Sequence, residues 1–260
     1  MTESGKLFVV AVPIGNLEDI TLRATTVLRQ VDGVICEELR AGSTLLKSLG
    51  IERPLLALNE HNEQAESAHI LARLQQGQSL ALISDCGTPV FADPGRSLLA
   101  MLHRAGITVV PVPGPSSLMA ALSVCDFALG RFVFGGFLER TPEERRRELG
   151  ALRKLDFPLV LMDAPYRMAA LLQEVARVFG PEREVLLACD MTLPGERIYQ
   201  GTLAKVIQDA GDRKAEFVLV VAGPPRGRSD AVPRLGLRPG TSAPRPRCPR
   251  QRHWRQDGAG

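Results

Sequence analysis

Short apolar runs alternate with amphipathic stretches along most of this 260-residue chain, and that alternation restricts it to a few α/β architectures. Residues 7–12, 33–36, 55–58, 80–84 and 108–112 have strand length and strand composition. Between them, 22–30, 66–75 and 97–105 carry apolar residues at helical spacing. Strands separated by helices predict a parallel sheet, because parallel neighbours need a long crossover. A second series follows, with strands expected at 131–134, 158–162, 184–189, 196–200 and 216–221, and helices at 143–152, 168–178 and 204–209. The reading is therefore two α/β domains, 1–115 and 116–223, followed by a tail, 224–260. Thr141-Pro142-Glu143-Glu144 marks one helix start: an N-cap hydroxyl, proline at the first helical position and glutamate three residues on. The following Arg145, Arg146 and Arg147 read as a solvated helix face, with a nucleic-acid site as the alternative.

At 45% hydrophobic residues the chain can bury one or two ordinary cores. No apolar run approaches the roughly 18 residues of a membrane span, and the segment Met1 to Lys6 is too short and polar for a signal peptide, so a cytoplasmic protein is expected. Cys36, Cys86, Cys125, Cys189 and Cys248 are scattered without a CxxC pair, which suggests neither a disulfide framework nor a metal site. The net charge of +3 conceals an asymmetry: residues 224–260 hold nine arginines against two aspartates, a net of +7 that leaves −4 for residues 1–223. With seven prolines and five glycines as well, that tail is expected to be disordered. It reads as a dispensable or out-of-frame extension, with an RNA-binding arm as the alternative.

The chemistry is carried by turns at strand ends. Ser84-Asp85-Cys86-Gly87-Thr88-Pro89-Val90-Phe91-Ala92-Asp93-Pro94-Gly95 follows an apolar strand with two glycines, two prolines and two carboxylates, a loop suited to close approach of backbone to a ligand. Similar turns follow the other strands: Pro13-Ile14-Gly15-Asn16, Glu37-Glu38-Leu39-Arg40 and Pro113-Gly114-Pro115-Ser116-Ser117. In an open parallel sheet they share the carboxyl edge, where ligands bind. The chain has no GxxxxGK[ST], no GxGxxG after its first strand, no GxSxG and no HExxH, so nucleotide-triphosphate, dinucleotide and common hydrolase readings lose their support.

Five segments in order, VPIGNLEDITLRA, CEELR, LNEHNE, LISDCGTPVFADPG and VVPVPGPSS, resemble the tetrapyrrole methylase superfamily over residues 7–223. The nearest branch methylates the ribose 2'-hydroxyl of a cytidine in small-subunit (16S) ribosomal RNA. The resemblance implies two α/β domains with S-adenosylmethionine in the cleft between them, a homodimer, and ribosomal RNA or the assembled small subunit as partner. It places Ile14, Asp85, Gly87, Ser116, Ser117, Met162, Asp163 and Met191 at cofactor-contacting positions, with Leu161, Cys189 and Asp190 beside them and the last strand near the adenine. Ser116 and Ser117 also suit a helix N-cap.

Methyl transfer to a hydroxyl needs in-line geometry and a base, and positioning alone can be worth roughly 7–11 kcal/mol. Asp19, Glu37, Glu38, His61 and Glu63 are the candidate bases, with Asn16 and Arg40 as orienting or phosphate-contacting groups. Arg40 paired with Glu37 is the structural alternative. The chain departs from the family where Glu37-Glu38-Leu39-Arg40 replaces Glu-Asp-Thr-Arg and Asp163-Ala164-Pro165-Tyr166-Arg167 replaces Glu-Ser-Pro-His-Arg. Two other readings stay open: a small-molecule methylase of the same superfamily, and a cofactor-binding protein without catalysis.

Overall fold

A computed structural model describes residues 4–91 and 93–224. Strands β1 (Lys6–Val10), β2 (Gly33–Cys36), β3 (Leu55–Ala57), β4 (Leu80–Ile83) and β5 (Thr108–Val112) form a sheet in the order β3-β2-β4-β1-β5, with every pairing parallel. Helices α1 (Leu22–Gln30), α2 (Leu39–Ser48), α3 (Glu63–Gln75) and α4 (Arg96–Arg104) are the four crossovers. A strand covered on both faces must be apolar on both, and β2 and β4 are buried at every residue. The period-two alternation is visible along β4: Ala81 and Ile83 join a core with Leu28 and Leu46 of α1 and α2, while Leu80 and Leu82 join one with Leu74 and Leu98 of α3 and α4.

Helix α2 is not among the helices expected from the sequence, although Gly42, Leu45 and Leu46 share its buried face. Tertiary contact supplies the reason for the glycine. A Cβ at Gly42 would lie 2.8 Å from the Cys36 sulfur, so only hydrogen there lets α2 approach β2.

The second sheet, β6 (Val133–Phe137), β7 (Leu159–Asp163), β8 (Glu184–Cys189), β9 (Arg197–Thr202) and β10 (Phe217–Val221), runs in the order β6-β7-β10-β8-β9. It is mixed: β6 and β7 are parallel, and β10 pairs antiparallel with both β7 and β8, as β8 does with β9. Helix α5 (Ser117–Ser123) covers one face through Ala121, against Val160, Leu186, Ala188, Val218 and Val220. Helices α6 (Pro142–Arg153), α7 (Met168–Phe179) and α8 (Leu203–Ala210) cover the other. The expected start of α6 is present, with the Thr141 hydroxyl accepting from Glu144 N at 3.4 Å and donating to Glu144 Oε2 at 2.6 Å.

Arg145 corrects the sequence reading. It is buried rather than solvated, 3.2 Å from the buried Glu174 carboxylate, and it donates to the carbonyls of Glu139 and Arg140. The expected disordered tail lies outside the described residues from 225 onward. No helix among the described residues is long and apolar enough to cross a membrane.

Candidate functional site

The order of strands along the first sheet reverses between β1 and β4, from which the crossovers lead to opposite edges, and the loops leaving β1, β2 and β4 open a crevice at their carboxyl ends. A cavity of about 510 Å³ lies there, lined by Val12 to Gly15, Leu17, Glu38, Arg40, Ala41, Thr44, Leu45 and Ile83 to Cys86. That volume suits a small-molecule ligand, and the lining joins an apolar wall to a few charged groups.

Backbone pairing fixes the rim. Val12 and Gly87 form an isolated antiparallel bridge, and Thr88 Oγ1 donates to the Pro115 carbonyl at 3.1 Å, so the loops after β1, β4 and β5 are tied together. Gly87 sits at φ +76, and a Cβ there would meet Ile14 Cγ2 at 3.2 Å. Glycine is required by conformation and by space. Asp85 is held by its Oδ1, which accepts from Glu38 N at 3.3 Å across the β2 and β4 loops. Ser84 Oγ donates to Cys86 O at 2.9 Å, closing the turn behind it.

The second half of the chain closes on this rim. Asn16 N donates to Thr192 Oγ1 at 3.0 Å, and a Cβ on Gly15 would lie 2.8 Å from the same oxygen and 2.9 Å from Leu193 Cγ. The 190–196 loop is built for that contact. Asp190 Oδ2 accepts from Arg213 at 2.5 Å, its Oδ1 accepts from Glu216 N, and Thr192 N donates to Glu196 Oε2 at 2.7 Å. Among the described residues, positive φ occurs at four non-glycine positions, of which Val90 lies in the loop after β4 and Asp190 and Thr192 in the loop after β8. Such strain persists where the surroundings over-determine it, and functional loops are its usual location. Phe91 and Phe134 complete the closure, with ring centroids 4.5 Å apart.

The residues singled out from the sequence divide into groups. Ile14, Glu38, Arg40 and Asp85 line the cavity, and Gly87 abuts Ile14. Ser116 is the N-cap of α5, its hydroxyl accepting from Met119 N, and Ser117 begins that helix. Met162 and Met191 pack in the cluster beneath α5. Asp163, one residue on, falls on the opposite face with α6 and α7: it is buried, and its Oδ1 accepts from Ala164 N at 2.8 Å and from Arg167 at 3.3 Å. Asp19 is exposed at the end of a 3₁₀ turn (Leu17–Asp19) capped by Asn16, and His61 is exposed on the turn after β3, outside the cavity lining.

Glu63 has a structural occupation instead. Its Oε1 accepts from Gly95 N at 3.0 Å and Ser97 N at 2.9 Å, which caps the N-terminus of α4. Arg40 and Glu37 are absent from the ion pairs among the described residues. Glu37 is half-buried, and burial, then the charges of Asp85, Asp93, Glu60 and Glu38, raise its pKa above the ordinary carboxylate value. Burial likewise raises Asp93 against an opposing hydrogen bond from Ser84.

Sequence reading missed Ala41, Thr44 and Leu45, which reach the cavity from α2, and Thr192, which meets the β1 loop. The spacing of Arg40, Ala41, Thr44 and Leu45 is one helical face, a signal available only once α2 is known to be a helix.

This fold and rim define a class of protein. A profile of the Tetrapyrrole (Corrin/Porphyrin) Methylases matches residues 6–207, and the chain belongs to that family. It is 44% identical over 227 residues to the "Ribosomal RNA small subunit methyltransferase I" of Xylella fastidiosa strain Temecula1, covering 86% of this chain and 83% of that protein. The protein of the same name from Pseudomonas aeruginosa is 43% identical over 224 residues, covering 85% and 79%. The fold is shared with uroporphyrin-III C-methyltransferase of Thermus thermophilus, solved in complex with S-adenyl homocysteine, at a TM-score of 0.61 and 19% identity over 84% of this chain and 97% of that one.

Proposed function

We propose that this protein is an S-adenosylmethionine-dependent methyltransferase of small-subunit ribosomal RNA, acting on a cytidine ribose 2'-hydroxyl. The observation that carries the reading is the cavity at the carboxyl edge of the first sheet, in a chain whose relatives bear that rRNA methyltransferase name. The cavity fits the cofactor chemically. Ile14, Val12 and Leu17 offer apolar surface to an adenosyl group, and the Asp85 carboxylate offers an acceptor for the polar, cationic methionyl end. Gly87 keeps the rim open, since a Cβ there would fill the space against Ile14.

When bound, the cofactor supplies an electrophilic methyl on a sulfonium. The chain's own residues do the rest. Closure of the Asn16 turn on Thr192 excludes water and sets the approach of the hydroxyl, the largest expected contribution. Glu38 accepts the hydroxyl proton at a carboxylate oxygen, and Arg40 binds the adjoining phosphate. Asp85 fixes Glu38 by holding its backbone N–H. In this reading Ser116, Ser117, Met162, Met191 and Asp163 serve the cofactor's second side; Met162 and Met191 pack together beneath α5, and Asp163 pairs with Arg167. Asp19, Glu37 and His61 act from the rim. Division into domains 1–115 and 116–223, a homodimer and a cytoplasmic location complete this reading.

The test is mass spectrometry of small-subunit rRNA from cells lacking the protein, combined with methyl transfer by the purified protein to those subunits. One missing ribose methyl, restored in vitro, is expected. An unchanged methylation pattern overturns the reading.

A further inference from the structure

Helices α6 and α7 end side by side on the face of the second half away from α5, and the space between their C-termini, about 580 Å³, is lined by Gly150, Arg153, Lys154, Asp156, Arg177 and Val178. Arg183 joins the group, its guanidinium 5.9 Å above the Phe179 ring. Helix C-termini attract cations, and part of this cluster is explained so. Arg153 donates to Val178 O at 2.6 Å, and Arg183 donates to Gly223 O at 2.7 Å.

Lys154, the C-cap of α6, and Arg177, in the last turn of α7, also favour those helix ends, but neither side chain holds a backbone carbonyl among the described residues. Among the described residues neither Lys154 nor Arg177 belongs to an ion pair, and both are exposed. Two helix ends contribute about half a negative charge each, and Asp156 one more, against four cations, leaving a net of about +2 over a concave surface. Burial first, and then the neighbouring Arg153, lower the Arg183 pKa, with Asp156 opposing them.

We propose that the surface between α6 and α7, centred on Lys154 and Arg177, binds the phosphate backbone of the RNA substrate away from the catalytic cavity. The proposal rests on the rRNA methyltransferase reading and assigns to that enzyme an anchoring surface that carries no sequence information. Its lining residues share none with the cavity.

The test is the full-length double variant Lys154→Glu/Arg177→Glu, with Arg153 and Arg183 retained because they hold backbone carbonyls. Affinity for rRNA should fall about tenfold or more at low salt, and the slope of log affinity against log salt should drop by roughly one to two. The loss should be equal for a target-site fragment and an unrelated single strand, with S-adenosylmethionine affinity unchanged and the unfolding temperature lowered only by the few degrees that acidic groups at two helix C-termini cost. Wild-type affinity and slope in the variant overturn the proposal. So does a loss confined to assembled subunits with naked RNA binding intact, which would make this a protein-contacting face. A wild-type protein that methylates rRNA while the variant binds like it removes this surface alone; a wild-type protein that transfers no methyl to rRNA removes the underlying reading.

Discussion

Val12 and Gly87 exchange two backbone hydrogen bonds, Val12 N to Gly87 O at 2.9 Å and Gly87 N to Val12 O at 3.1 Å, and so lock the loops that leave β1 and β4. Replacing Gly87 by alanine keeps both donors but forces a side chain into φ +76 against Ile14. A non-glycine residue in that region costs about 1–3 kcal/mol. Gly87→Ala should lower the urea midpoint accordingly and weaken S-adenosylmethionine binding measured by calorimetry. Full retention of both would mean that the rim relaxes freely.

The hydrogen bond from Asn16 N to Thr192 Oγ1 is a direct polar link between the two halves at the rim. Thr192→Ala removes the acceptor and should cost about 1 kcal/mol, read as loss of methyl transfer exceeding loss of stability. Thr192→Ser keeps the oxygen and should behave like wild type. Equal behaviour of the two variants would remove the contact from the mechanism.

Arg145 and Glu174 are both buried, 3.2 Å apart. Glu174→Gln leaves the guanidinium buried without a counter-charge, a change that typically costs about 3–5 kcal/mol. Thermal unfolding should shift down by many degrees, while the double replacement Arg145→Met/Glu174→Leu should recover much of the loss. If the single and double variants melt alike, the buried charge is not the cause.

Glu37 titrates above its ordinary value of 4.5, first through burial and then through Asp85, Asp93, Glu60 and Glu38. A carboxyl whose folded pKa is raised gives stability that is complete below the unfolded pKa and lost as pH rises through the folded one. Glu37→Gln should therefore be more stable than wild type near neutral pH, with the difference vanishing below about pH 4.5. Urea titrations at the two ends of that range measure it. A wild type more stable than the variant at neutral pH would contradict the charge cluster.

Asp85 and Arg40 line one cavity but have different expected duties. Asp85→Ala should reduce S-adenosylmethionine affinity by about tenfold, the equivalent of one charge-assisted hydrogen bond. Arg40→Ala should lower methyl transfer while cofactor affinity stays within about twofold. Equal loss of both functions in Arg40→Ala would place it in the scaffold.

By itself the sequence determined the strands of the first sheet, the turns at the carboxyl edge and the start of α6, because each depends on local periodicity or capping chemistry. The five ordered motifs determined the family. Only the tertiary structure decided the rest: α2, where a glycine is kept for the Cys36 sulfur; the antiparallel pairings of β8, β9 and β10; and the separation of Met162 from Asp163 onto opposite faces of β7. The uses of Arg145 and Glu63 were likewise set by partners 29 and 34 positions away, Glu174 and Ser97. Such contacts lie between residues far apart in the chain, and a side chain's charge or apolar character does not name its partner until the backbone has brought the two within a few ångströms.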